Sequence, residues 1–225
     1  MGSGRTTTKT MKLSEPLSPA KALIATLLLI LLAAILYKIW DSDLIYGYRK
    51  HFSSDDVIQL NFNELETLTP EETKEKFHIN WWCGHDNNQF GDYFCADELK
   101  GWNKSPAMLV VFWYKNNKLN NAKIDAPYWH HSKFIKQIKS EYGEPIRKSQ
   151  RIDYLKITEK VALLLISKGK YGGSDSKIKA EDLAIWKLKS GALLVTELEA
   201  GPNPFSWNSL LWIGPEQAKH GGYYH

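Results

Sequence analysis

Cysteine is nearly absent from this chain, which has two, Cys83 and Cys95, among 225 residues. Zinc sites bring their cysteines in pairs two to four residues apart, a spacing these two do not have. His78 and His85 nearby therefore do not complete a metal set, and neither a metal nor a cofactor is expected. No nucleophile elbow, phosphate-cradling glycine loop or HExxH helix occurs. Gly172-Gly173-Ser174 lacks the strand, Lys-Ser/Thr and helix context of a P-loop and reads as a surface loop. A basic surplus is missing where a nucleic-acid binder would need one. Residues 1–40 hold five Lys/Arg and one Glu, which leaves 24 basic and 24 acidic side chains in the remainder. The pI of 8.8 thus belongs to the N-terminal end, and nucleic acid is not an expected partner.

Long apolar runs are scarce too. There is one, ALIATLLLILLAAILY from Ala22 to Tyr37, bracketed by Lys21 and Lys38 and followed by Trp40. With its snorkelling lysine it approaches the roughly 20 residues that a helix needs to cross a bilayer. A cleaved signal peptide fits less well, because Ala33 and Ala34 lie inside the run and large residues follow them. A buried helix of a soluble protein would not be apolar on all sides. The reading is a signal anchor over residues 21–40, a disordered cytoplasmic tail over 1–20 and a linker over 41–56, with Tyr46 and Tyr48 at the headgroup level. Flanking Lys and Arg favour a cytoplasmic N-terminus only slightly. The cysteines add to it: an even count in a chain with an export signal reads as one disulfide in an oxidising compartment. The lone sequon, Asn103-Lys104-Ser105, is followed by the unfavourable Pro106, which suits a bacterial envelope. The expected location is the inner membrane, with residues 57–225 in the periplasm.

Those residues are enough for one domain with a real core. VIQLNF (57–62) alternates as a strand. Thr69-Pro70-Glu71-Glu72 is a capping-box start for a helix near 70–77. AMLVVFWY (107–114), Asn116-Asn117 and KLNNAKI predict a hairpin, since Asn tolerates positive φ. A long amphipathic helix is expected from Asp125, with Pro127 in its first turn, to Tyr142, stopped by Gly143. Tyr128, Ile135, Ile138 and Tyr142 would line its buried face, with Lys133, Lys136 and Lys139 turned away. RIDYLKIT with VALLLIS, and LAIWKLK with ALLVTELE, predict two more hairpins, and SLLWIG (209–214) a last strand. The fold class is α+β: an antiparallel sheet of six to eight strands with one long helix packed on it, preceded by a single transmembrane helix.

Aromatic residues are the compositional excess, with nine tryptophans of which only Trp40 borders the anchor. Trp113, Trp186 and Trp212 sit in apolar strands and read as core. Trp81, Trp82, Trp102 and Trp207, with Phe205, lie in loop-like settings and mark a candidate interaction surface, or a stacking platform for sugars. Candidates for acid–base chemistry are His85, Asp97, Glu98 and His130; the acidic residues are more simply read as part of a solvated loop, and His130 and His131 as one buried and one exposed histidine. Adjacent His130 and His131 point about 100° apart on a helix and cannot share one metal.

Three roles are compatible with these features. The first is a membrane-tethered extracytoplasmic interaction module, either an accessory subunit of an envelope complex or an immunity-type inhibitor, with another envelope protein as its partner. The second is a cell-wall or glycan binder that uses its exposed tryptophans. The third is an anchored hydrolase. The lack of any catalytic motif favours the first, so no enzymatic activity is expected. The disulfide is tested by intact mass on protein from native membranes. Reduction should raise the mass by two hydrogens, and thiols that alkylate without reductant would refute the exported topology.

Overall fold

The structure is a computed structural model that describes residues 18–41, 46–65, 68–77, 82–88, 90–146, 183–199 and 207–219. The chain divides into a unit ending at Trp40 and a unit beginning at Asp41. The first holds α1, Pro19–Trp40, a helix of 22 residues with a mean hydropathy of 2.5 over its most apolar window and no buried residue. Pro19 occupies the first turn, where its missing N–H costs nothing. Thr26, the one hydroxyl before Tyr37, donates to Ala22 O at 2.9 Å, so the helix satisfies its own polar group. At 1.5 Å per residue α1 is about 33 Å long, enough to span a membrane.

The second unit is an antiparallel sheet with short helices. Its elements are α2 (Tyr46–Ser53), β1 (Val57–Ile58), α3 (Pro70–Phe77), β2 (Trp82–Asn88), β3 (Gly91–Glu98), β4 (Gly101–Trp102), β5 (Ser105–Pro106), β6 (Leu109–Lys115), β7 (Lys118–Pro127), α4 (His131–Tyr142), β8 (Leu183–Lys187), β9 (Leu193–Glu197), β10 (Trp207–Ile213) and α5 (Pro215–Lys219). Among the described residues seven strands form the main sheet in the order β2-β3-β6-β7-β10-β9-β8, and β1-β4-β5 form a small one. The α+β class and the strand number agree with the sequence reading.

The β6–β7 hairpin turns at Asn116 and Asn117, with φ of 51° and 59°. Both values lie in the region that a two-residue hairpin turn requires and that Asn tolerates. Its register sets Phe112 opposite Ala122 and Val110 opposite Ile124. Alternation then gives the sheet two faces. On one, Val110, Phe112, Tyr114, Ile124, Leu210, Trp212, Leu194 and Trp186 join Phe134 and Ile138 of α4 in the larger core. On the other, Ala96, Val111, Trp113, Leu211, Val195 and Ile185 form a second. Trp102, Trp186 and Trp212 are fully buried. Each removes on the order of 200 Å² from water, an upper bound of about 5 kcal/mol at 25 cal/mol per Å².

Local chemistry accounts for the other agreements. Thr69 and Glu72 cap α3 reciprocally, Thr69 Oγ1 accepting from Glu72 N at 3.2 Å and Glu72 Oε2 from Thr69 N at 2.8 Å. β8 and β9 pair around Ser190-Gly191.

Four expectations are corrected. The strand over 57–62 stops at Ile58, because Leu60 N is taken by Asn103 Oδ1 and Asn61 caps a 3₁₀ turn at Phe62–Glu64. The long helix does not start at Asp125, which lies in β7 opposite both Leu109 and Ser209. A 3₁₀ turn at Tyr128–His130 separates that strand from α4; Ile138 is core and Ile135 and Tyr142 pack against it as expected, while the helix also buries His131, Phe134 and Gln137. Trp82, expected in a loop-like setting, lies in a β-hairpin that also carries the two cysteines. Residues 46–53, expected as linker, are the helix α2, whose Tyr48 is buried. The hairpin proposed over 151–167, the glycine loop at 172–174 and the tail before Ser18 lie outside the described residues.

Asp125 is held by charge. It is buried within the second face, 2.9 Å from Lys123 Nζ, and accepts a hydrogen bond from Ser209 Oγ. A buried pair of this kind costs desolvation on both sides and destabilises strongly when one partner is lost. Nearer the hairpin turn, a bulge makes Asn120 the extra residue of β7. Asn120 and Asn121 both donate their amides to Phe90 O, at 2.7 and 2.9 Å, which ties the β2–β3 turn to the sheet. Gly91 packs so closely there that a Cβ would lie 2.3 Å from Tyr114 O. The Gly91→Ala variant should lose about 3 kcal/mol in urea unfolding; an unchanged midpoint would show that this contact can relax freely.

Candidate functional site

The β2–β3 hairpin carries most of the residues that the sequence singles out. Cys83 stands directly opposite Cys95, with Cα atoms 4.1 Å apart, and the two form a disulfide. Cys95 is buried and Cys83 is exposed. Next to it Trp82 packs edge-on against Phe94, at 5.3 Å between ring centroids, and keeps 54% of its surface exposed. His85 is exposed and lies against Tyr93. Among the described residues β2 ends the sheet, so Trp82, Cys83 and His85 project from an edge strand.

The other aromatic candidates have separate fates. Trp102 is a correction: it lies in β4 with no exposed surface, packed on Phe62 and Phe134, and its indole N–H donates to Leu60 O at 2.9 Å. It is core, and no sugar can stack on it. Trp207 is half-buried at the start of β10, opposite Pro127. Trp81 and Phe205 lie outside the described residues. An exposed aromatic that sequence reading passed over is Trp129, which stacks on Tyr48 of α2 at 4.6 Å.

The acid–base candidates are spread over the sheet. Asp97 and Glu98 are successive residues of β3, so they face opposite sides and cannot work as a carboxylate pair. Asp97 is buried and its Oδ1 accepts from Glu98 N at 2.8 Å, while Glu98 pairs with Lys50 at 3.4 Å. His85 is opposite Tyr93, about 13 Å along the strand from Asp97 at 3.3 Å per residue. His130 ends the 3₁₀ turn near α2. Among the described residues no group of three His, Cys, Asp or Glu could hold a metal ion.

Helix α2 is clamped to the domain. The Tyr48 hydroxyl accepts from Tyr128 N at 3.1 Å, and burial pushes its pKa up to about 12. His51 is buried with Nδ1 2.6 Å from Ala107 O and 3.2 Å from Leu99 O. Both partners are acceptors, so Nδ1 carries the proton.

A groove of about 700 Å³ opens between α4, the segment 59–64 and the β4–β5 turn. Asn103 shapes the turn with φ of 49°. Its amide is fully engaged, Oδ1 accepting from Leu60 N and Nδ2 donating to Leu60 O and Glu141 Oε1. Gln137 reaches into the groove from α4 and Ser105 from β5, both more than nine-tenths buried. The Gln137 amide nitrogen donates to Glu141 Oε1 at 3.1 Å and Trp102 O at 3.4 Å. Gln137 Oε1 and Ser105 Oγ have no hydrogen-bond partner among the described residues. The rim carries Lys104, Lys133 and Lys136. Sequence reading placed Lys133 and Lys136 on a solvated helix face and saw in Asn103-Lys104-Ser105 only a sequon. The groove is formed where residues 59–64 and the β4–β5 turn meet that face, which no local pattern announces.

No family model, no curated protein and no solved structure matches the chain.

Burial, Lys133 and His51 together lower the pKa of His130 below its usual 6.5. The unfolded chain then binds the proton more readily than the folded one, so stability is full above pH 6.5 and falls as the pH drops toward the lowered value. The unfolding midpoint should decline between pH 7 and 5, and His130→Gln should decline less. Equal slopes for the two proteins would remove His130 as the source.

Proposed function

We propose that this protein is a membrane-tethered interaction module of a bacterial cell envelope, with α1 in the inner membrane, the N-terminus cytoplasmic and the domain periplasmic. The reading is carried by the disulfide-stapled β2 edge. An exposed sheet edge offers a row of backbone donors and acceptors to an added strand, and natural proteins otherwise cover or blunt such edges. Trp82 beside it supplies the large, rigid surface found at the centre of protein interfaces. The Cys83–Cys95 bridge holds the hairpin in its binding-ready shape, which lowers the entropy lost on association. An apolar α1 supports the tether, the disulfide supports an oxidising compartment, and the charge balance of the domain supports a protein partner over nucleic acid. An accessory subunit of an envelope complex and an immunity-type inhibitor both use a surface of this kind.

A photo-crosslinking residue in place of Trp82, in the full chain in native membranes, tests the proposal. It should give one discrete adduct with an envelope protein, and the same residue at exposed Lys187 on β8 should not. No adduct at Trp82, or the same adducts from both positions, would refute an interface at β2.

A further inference from the structure

We infer that the groove between α4 and the β4–β5 turn is a binding site for a small anionic saccharide, a sugar that bears a carboxylate or a phosphate. Two buried polar atoms carry this inference. A buried polar atom without a partner costs on the order of 1–3 kcal/mol, so two of them lining one groove call for a ligand. Their chemistry specifies it. The Gln137 amide nitrogen faces two acceptors, Trp102 O and the Glu141 carboxylate, so the orientation of the amide is set and its oxygen is left without a partner in the groove's lining. That oxygen accepts only, and needs a hydroxyl or N–H from the ligand. Ser105 Oγ can donate or accept, which suits a second hydroxyl.

The rim adds the charge. Lys104, Lys133 and Lys136 make no ion pair among the described residues, whereas Lys139 on the same helix pairs with Glu144 at 2.8 Å. Of the carboxylates at the groove, Glu64 is paired with Lys76 at 3.2 Å, and Glu141 accepts from Asn103 and Gln137. Neutral amides leave the Glu141 charge in place, so three lysines stand against one carboxylate without an ion pair among the described residues, and the rim is net positive. A free inorganic anion would satisfy the lysines but would offer no hydroxyl to Gln137. A neutral sugar would satisfy Gln137 and Ser105 but leave the lysines as they are. A sugar acid or sugar phosphate meets both demands, and about 700 Å³ is the size of a small-molecule site. The site shares no residue with the β2 edge, so either reading can fail without the other.

Calorimetric titration of the full chain in detergent micelles tests it with four probes: D-glucuronate, D-glucose 6-phosphate, D-glucose and inorganic phosphate. At least one of the two anionic sugars should bind at least roughly tenfold more tightly than glucose and phosphate do, and the stronger of them tells a carboxylate site from a phosphate site. The double variant Lys133→Ala, Lys136→Ala should weaken that binding by roughly tenfold or more at an unchanged unfolding midpoint, both residues being exposed. Ser105→Ala should also weaken it without loss of stability, since its hydroxyl has no partner in the fold. Binding of neither anionic sugar, phosphate binding as tightly as the sugars, or undiminished binding by the double variant would each overturn the assignment.

Discussion

Pairing between β6 and β7 is the constraint on which the rest of this domain depends. Asn116 and Asn117 hold the positive φ of a two-residue turn, and that turn sets every pair from Lys115–Lys118 to Leu109–Asp125. Side chains alternate along a strand, so a slip by one residue would carry Phe112 and Ile124 to the other face and bring Lys123 and Asp125 under α4. The two faces are therefore not interchangeable. One receives the aromatic core and the long helix, and the other holds a buried ion pair that Ser209 completes from β10. The bulge at Asn120 extends the same register outward, since its amide and that of Asn121 anchor the end of β2 through Phe90.

Two surfaces follow from that frame, and they differ in kind. The β2 edge is stiff, apolar at Trp82 and backbone-rich, which suits a protein strand. The groove beside α4 is polar, with lysines at its rim and the buried Gln137 and Ser105 in its lining, the surface for which a small charged ligand is proposed. Asn103 links the groove to the core, because the turn it shapes is bonded to Leu60, and Leu60 O also receives the Trp102 indole. A tryptophan that looks like a surface platform in the sequence is thus the support beneath a polar site.

Legibility in the sequence followed the range of the cause. Thr69 and Glu72 cap α3 across three residues, and the Asn-Asn turn acts across two, so both were readable. The Cys83–Cys95 pairing was readable from the cysteine count, though the hairpin that places the two face to face was not. Asp125 and Pro127 carry the local marks of a helix start. They are strand because β10 pairs with both and β6 pairs with Asp125 on its other side, a long-range contribution that outweighs the local preference. Helix α2 looked like linker for a related reason: Tyr48 and His51 are polar in type, and only contact with Trp129, Tyr128 and Ala107 makes them anchors. Gln137 and Ser105 left no sequence signal, because an unpartnered atom is defined by what surrounds it.

By itself the sequence determined the features that arise from neighbours along the chain. These are an apolar run long enough to span a membrane, the balance of charge beyond residue 40, the α+β class, and the caps and turns. Only the tertiary structure decided which tryptophans are surface and which are core, where the sheet ends, and which polar atoms are left without partners. Burial and hydrogen-bond satisfaction depend on residues tens of positions apart, and no local pattern encodes them.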